Sequence, residues 1–264
     1  MNDTVLIKTD PRGVATLTLN CPEKHNAFDD VIIAELTEKL IKVNNDKKVR
    51  IVVLTGAGKS FSAGADVNWM RASTQYDEAH NIEDALKLAE LMDTLNSLRK
   101  PSIARVNGAT FGGGVGLVAC CDIAIASSSA KFSLSEVRLG LVPSVISPYV
   151  IATIGVHNAR RYFLTADLIS ADKAREIGLV HEVVSAEQLD TAVEKEIGLL
   201  LKGGPKALAA AKELIAAQAA LSTSARRNLH SKTANIIAQL RVSEEGQEGL
   251  TAFLEKRPPK WSKN

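Results

Sequence analysis

The sequence predicts an α/β fold, and three observations carry that prediction. Apolar, strand-like runs alternate with segments of helical period, two loops of small residues follow buried runs, and beyond about residue 145 strand signals give way to alanine-rich helical stretches. Such alternation implies crossover connections. By itself it does not separate a doubly wound sheet from repeated ββα turns.

The elements follow in chain order. Val14 to Asn20 alternates as a strand, and Asp30 to Asn44 places Val31, Ile32, Leu36, Leu40 and Val43 on one helical face. Val49 to Gly58 reads as a buried strand ending in a turn, followed by the small-residue loop Lys59 to Asn68. Residues 80–99 form a helix striped by Ile82, Leu86, Ala89, Met92 and Leu95. Ser102 to Val106 is a buried strand, whose turn Gly112-Gly113-Gly114-Val115-Gly116 opens a short helical stretch before the strand at 122–126. Ser170 caps a helix ended by Gly178, Pro205 starts another, and helices continue to about residue 240. Ala207 to Ala220 carries apolar residues on more than one side, more than a solvent-facing helix needs. Residues 1–200 are therefore the expected core, with 201–264 a C-terminal helical region.

Composition narrows the function. A chain of 264 residues can bury a large core as one α/β domain. A net charge of +2, without a basic block or interleaved aromatics, excludes an electrostatic footprint for nucleic acid. The first ten residues lack a signal-peptide pattern, and no stretch is long enough to span a bilayer, so no membrane role is expected. Cys21 and the adjacent Cys120 and Cys121 fit small buried side chains in a reducing cytosol. The five histidines show no metal-ligand spacing, so no metal is expected.

The chemistry is concentrated in the two loops. N–H groups in the first turn of a helix lack intrahelical partners and attract negative charge, and glycines let a ligand approach them closely. Two such loops on neighbouring strands can each supply one N–H to a single oxygen, which is what an oxyanion hole requires.

The pair Phe61-Ser-Ala-Gly-Ala-Asp66 and Asn107-Gly-Ala-Thr-Phe-Gly-Gly-Gly114 resembles the signature of the crotonase (enoyl-CoA hydratase/isomerase) superfamily. Further matches, in the same order, are Lys24 to Ala27, Cys121-Asp122-Ile-Ala, Phe132 to Pro143, Ala174 to Val180, and Phe253 to Arg257. The resemblance covers essentially the whole chain. It implies the crotonase (ClpP-like) spiral of ββα units, with residues 201–264 joining homotrimers, commonly paired into hexamers. It also implies an acyl-CoA thioester substrate, with coenzyme A as part of that substrate and no separate cofactor.

Position by position, the resemblance implies that the backbone N–H groups of Ala65 and Gly113 polarise the thioester carbonyl towards an enolate and that Glu136 is the acid/base. Contacts to coenzyme A fall on Lys24, Asn26, Ala27, Ala63, Ala65, Asp66, Val67 and Asn68, joined by Phe253 and Lys256, the latter matching a contact made from a neighbouring subunit. Typical hydratases carry a second glutamate where Gly116 stands. Either water fills the vacated space and Glu136 does most proton work, which is hydration, or Glu136 shuttles a proton between carbons, which is isomerisation of a 3-enoyl to a 2-enoyl thioester.

The flanks Asp66 to Arg71 and Leu139 to Tyr149 are similar to bacterial methylglutaconyl-CoA or isohexenylglutaconyl-CoA hydratases, and so imply hydration of a branched, carboxylated acyl group. Arg71 or Arg138 is then expected to pair with that carboxylate, and Gly116 to make room. A hydrolase using Ser62, Ser133 or Ser135 would need a nucleophile elbow that the sequence lacks. A non-catalytic acyl-CoA-binding protein is the other class that the missing acid raises.

Overall fold

The computed structural model describes residues 3–73 and 77–219, together with residues 244, 248, 252, 255 and 257–260. Among the described residues, ten strands form two sheets. The larger has six strands: β1 (Val5–Thr9), β2 (Val14–Leu19), β3 (Ile51–Gly56), β5 (Ser102–Val106), β7 (Ile123–Ser127) and β10 (Glu182–Val184), in that spatial order. The smaller contains β4 (Ser60–Ser62), β6 (Ala109–Phe111), β8 (Lys131–Ser133) and β9 (Ile169–Ser170).

The pairing resolves the ambiguity that the sequence left open. In β3/β4, β5/β6 and β7/β8 the first strand joins the large sheet and the second joins the small one, parallel to its counterpart in the next pair. Three successive ββ turns therefore wind as a spiral. One consequence was hidden from the sequence: β5 does not feed the glycine turn directly, because β6 intervenes and places that turn on the small sheet.

All six residues of β3 are buried, as expected for a parallel strand covered on both faces. One face carries Val52, Leu54, Ala104 and Val106, which pack with α1 (Asp30–Asn45) and α3 (Glu78–Asn96). The other carries Ile51, Val53, Ile103 and Ile125, covered by α7 (Leu189–Leu201) through Leu189, Ala192, Val193 and Ile197.

Helix faces differ from the periodicity in two places. On α1, Ile32, Leu36, Leu40 and Val43 are buried as expected, but the stripe takes in Ile33 in place of Val31, which is 55% exposed. On α3, Leu91, Met92 and Leu95 are buried, whereas Ile82 and Leu86 face out. Only the C-terminal half of α3 reaches the core; the first half borders a cavity instead. Ser170 caps α6 (Ala171–Glu176) by accepting from the Lys173 N–H at 3.2 Å, and Pro205 opens α8 (Pro205–Ala219), both as expected. Among the described residues no helix is long and apolar enough to cross a membrane.

Candidate active site

Three neighbouring strands of the small sheet, β4, β6 and β8, run parallel, so their C-terminal ends share one edge. Ligands bind at such edges because the loops leaving the strands converge there. β4 delivers Ala63 to Asp66, β6 delivers Gly112 and the start of α4 (Gly113–Cys120), and β8 delivers Ser135 and Glu136. The Gly112 N–H donates to Ser133 O at 2.9 Å, which joins the second loop to the third.

Both expected N–H donors are unpaired. Phe28 bridges Ala65 in parallel, its N–H donating to Gly64 O at 2.6 Å and its carbonyl accepting from the Asp66 N–H at 2.7 Å. That pattern uses the residues on either side of Ala65 and leaves the Ala65 N–H pointing away from Phe28. Gly113 is the first residue of α4, so its N–H has no intrahelical acceptor. Neither N–H has a hydrogen-bond partner among the described residues.

Glycine is required at the junction. Gly112 has φ 49° and ψ −119°, which L side chains rarely adopt, and a Cβ there would sit 3.2 Å from Glu136 Oε1. A Cβ on Gly64 (φ 85°) would meet Phe111 O at 2.9 Å. The two loops and the carboxylate are therefore in mutual contact range.

Glu136 stands at the start of a short 3-10 turn, and its Oε2 is buried without a hydrogen-bond partner. Burial pushes its carboxyl above the usual carboxylate range, outweighing a hydrogen bond from its own backbone. Ala65, Gly113 and Glu136 line one cavity of about 310 Å³. Its remaining wall is mostly apolar: Trp69, Met70, Ala85 and Leu88 on one side, Leu139 to Ile146 on the other. Asn81 and Asp84 add polar atoms.

Gly116 does not open onto that cavity. A Cβ there would lie 2.3 Å from Ile146 Cγ2, so the space an acid would need is filled by isoleucine. The expected vacancy is absent because α4 packs against α5 (Ser147–Thr165), which Ile146 precedes. Arg138 is exposed and is not among the residues that line the cavity. Arg71 is on α2 (Val67–Ser73), with its side chain outside the described part, as is that of Val67.

The coenzyme-binding expectations divide. Lys24 lies at the rim of an adjoining groove with Asn68, its Nζ 3.5 Å from Asp66 and 4.0 Å from Asp29. Ala63 lines the cavity. Asn26 is fully buried: its Oδ1 accepts from the Cys21 N–H, and its Nδ2 donates to Ala57 O and Ser60 O at 2.9 and 2.8 Å. Its backbone N–H donates to Cys21 O and its carbonyl accepts from Ser62 Oγ, so its hydrogen bonding is largely internal. Ala27 is likewise buried, its N–H bonded to Lys24 O.

Asp66 caps α2 by accepting from the N–H groups of Asn68 and Trp69 at 2.8 and 3.1 Å. Burial acts to raise its carboxyl, but those donors and Lys24 outweigh it and hold it below the usual range. Phe253 and Lys256 lie outside the described residues. Among the described residues no cluster of metal-ligating side chains occurs. Ser62 and Ser133 donate to the carbonyls of Asn26 and Ala166, so neither is poised as a nucleophile.

Two N–H groups without partners among the described residues, beside one buried carboxylate oxygen, are groups able to hold a developing negative charge and move a proton, and the chain that carries them matches known proteins along its length. The enoyl-CoA hydratase/isomerase family matches residues 9–264. The crystal structure of an enoyl-CoA hydratase from Shewanella pealeana superposes with a TM-score of 0.93 at 44% identity, covering 98% of this chain and 96% of that one. The crotonyl-CoA hydratase of Syntrophomonas wolfei is 36% identical over 246 residues, 92% of either chain. The 2,3-dehydroadipyl-CoA hydratase of Escherichia coli is 30% identical over 262 residues, 96% of this chain and 97% of the relative. The chain belongs to the enoyl-CoA hydratase/isomerase (crotonase) family, whose members act on acyl-CoA thioesters.

Proposed function

We propose that this enzyme adds water across the 2,3 double bond of a branched enoyl-CoA, with Glu136 as its one acid/base. The observation that carries this reading is the unpartnered Glu136 Oε2 in the same cavity as the free N–H groups of Ala65 and Gly113. The two N–H groups would hold the thioester oxygen as it gains charge, each worth about 3 kcal/mol of transition-state stabilisation. Glu136 would order water for attack at C3 and return its proton to C2. A carboxylate raised by burial suits that role, since its basicity lies closer to neutrality.

The acyl group follows from the walls. A carboxylated group such as 3-methylglutaconyl, and with it a place in leucine breakdown, draws support from the relative named as a 2,3-dehydroadipyl-CoA hydratase. Against it, the two charged side chains among the described lining residues, Asp84 and Glu136, are both acidic. An uncharged branched chain is the better fit. Lys24 and Asn68 at the adjoining rim would contact the coenzyme A phosphates, and assembly into trimers or dimers of trimers belongs to the same proposal.

Ile146 filling the place beside Gly116 favours a second reading, isomerisation of a 3-enoyl thioester, because it removes a polar site for water. Offering 3-methylglutaconyl-CoA, crotonyl-CoA and a 3-enoyl-CoA while following the conjugated-thioester absorbance separates the readings. Hydration lowers it and isomerisation raises it. No change with any of the three would leave only an acyl-CoA-binding protein.

A further inference from the structure

The contact between Gly116 and Ile146 couples two segments thirty positions apart in the chain. A Cβ on Gly116 would come within 2.3 Å of Ile146 Cγ2, 2.9 Å of Ile146 Cβ and 3.2 Å of Met92 Cε. Met92 can yield, since its terminal methyl ends a flexible chain. Ile146 cannot do so easily: its γ2 methyl hangs from a branched carbon with restricted χ1, and its carbonyl accepts the Val150 N–H at 3.0 Å in the first turn of α5. Ile146 is only 3% exposed, yet it lines the cavity that holds Glu136.

We propose that Ile146 is the residue that sets the balance between this site's hydration of 2-enoyl thioesters and its isomerisation of 3-enoyl thioesters. Its side chain puts an apolar wall where a polar group would otherwise order water, which leaves proton transfer to Glu136 alone. In hydration, the oxygen of water bonds to C3 while a proton bonds to C2. In isomerisation, Glu136 removes a proton from C2 of a 3-enoyl thioester and delivers it to C4, moving the double bond without consuming water. An apolar wall disfavours the first and spares the second. Gly116 is the necessary complement, because any side chain there displaces the wall. This inference rests on Glu136 being the acid/base.

The test compares wild type with Ile146→Ala, Ile146→Val, Gly116→Glu and the Gly116→Glu/Ile146→Ala pair. Each is assayed for hydration of crotonyl-CoA and isomerisation of a 3-enoyl-CoA, with products separated chromatographically and folding followed by thermal melting. Ile146→Ala is expected to raise the ratio of hydration to isomerisation about tenfold, a tenth or less of what a positioned acid/base commonly contributes. Ile146→Val should raise it less, and it carries the test where the alanine variant does not fold. Gly116→Glu should lose both activities, and adding Ile146→Ala should restore hydration. A loss of melting temperature without any change in the ratio would mean that Ile146 is only a packing residue, which overturns the proposal. So would Gly116→Glu matching wild type with Ile146 in place. Activity retained by Glu136→Gln would instead overturn the reading of Glu136, an outcome independent of the ratio measured for Ile146.

Discussion

Two loop regions contain the polar residues that the sequence singled out, and they treat their hydrogen-bonding groups in opposite ways. Around Asn26 the polar side chains are tied to the backbone: Asn26 holds Cys21, Ala57 and Ser60 together, Ser62 donates to Asn26 O, and Asp66 caps α2. Where Ala65 meets Gly113 and Glu136 the opposite holds, since two N–H groups and a buried carboxylate oxygen have no partner among the described residues. Buried polar groups without partners are costly, so natural proteins keep few of them. On the proposed function, the paired region is scaffold and the unpaired one is where a substrate would complete the hydrogen bonding.

Substitutions in the two regions should therefore differ in kind. Glu136→Gln keeps the shape but removes the proton acceptor, and is expected to lower kcat by about 10²- to 10⁴-fold without lowering the melting temperature. Steady-state assays on the conjugated thioester measure it. A variant as fast as wild type would move Glu136 from the reactive region to the scaffold.

Asn26→Ala should do the reverse. It leaves the Cys21 N–H and the Ala57 carbonyl without their side-chain partner, at about 1–3 kcal/mol for each group left unsatisfied, while the Ser60 carbonyl keeps Asn107 Nδ2 at 3.2 Å. Chemical denaturation should show that loss, while KM for the acyl-CoA changes little in the folded fraction. A large rise in KM at unchanged stability would return Asn26 to the ligand site.

Asp66→Ala removes the α2 cap and is expected to cost about 1 kcal/mol, read from the same denaturation curves. The smallest effect is one of pH. Burial raises the Glu136 carboxyl, so the folded state holds that proton more tightly than the unfolded chain does. This contribution to stability is complete below the ordinary carboxylate range and is lost as pH rises through the raised value. Glu136→Gln should thus melt higher than wild type at pH values above that window, with the two curves converging in acid. Parallel curves at every pH would mean that the Glu136 carboxyl is not strained by burial.

Much of the site was legible from residue order alone. The apolar runs of β3, β5 and β7 mark buried strands because parallel strands covered on both faces need side chains of one kind. The glycines at 112–114 and the small residues at 63–65 mark close backbone approach because little else tolerates it. Glu136 was singled out by the family resemblance, which places it after those loops in the run Phe132 to Pro143. Less legible were the short strands β9 and β10, with two and three residues, and β6, hidden between an apolar run and a glycine turn.

The sequence by itself determined the class of fold and singled out the two small-residue loops and Glu136 as candidates, because each depends on local residue type and on order along the chain. The tertiary structure alone decided that Asn26 is buried among backbone partners, that Arg138 is exposed and off the cavity, and that Ile146 fills the space beside Gly116. Those outcomes depend on which distant segments the ββα spiral brings together and on where each side chain points after they meet. Neither quantity is encoded in any one stretch of residues.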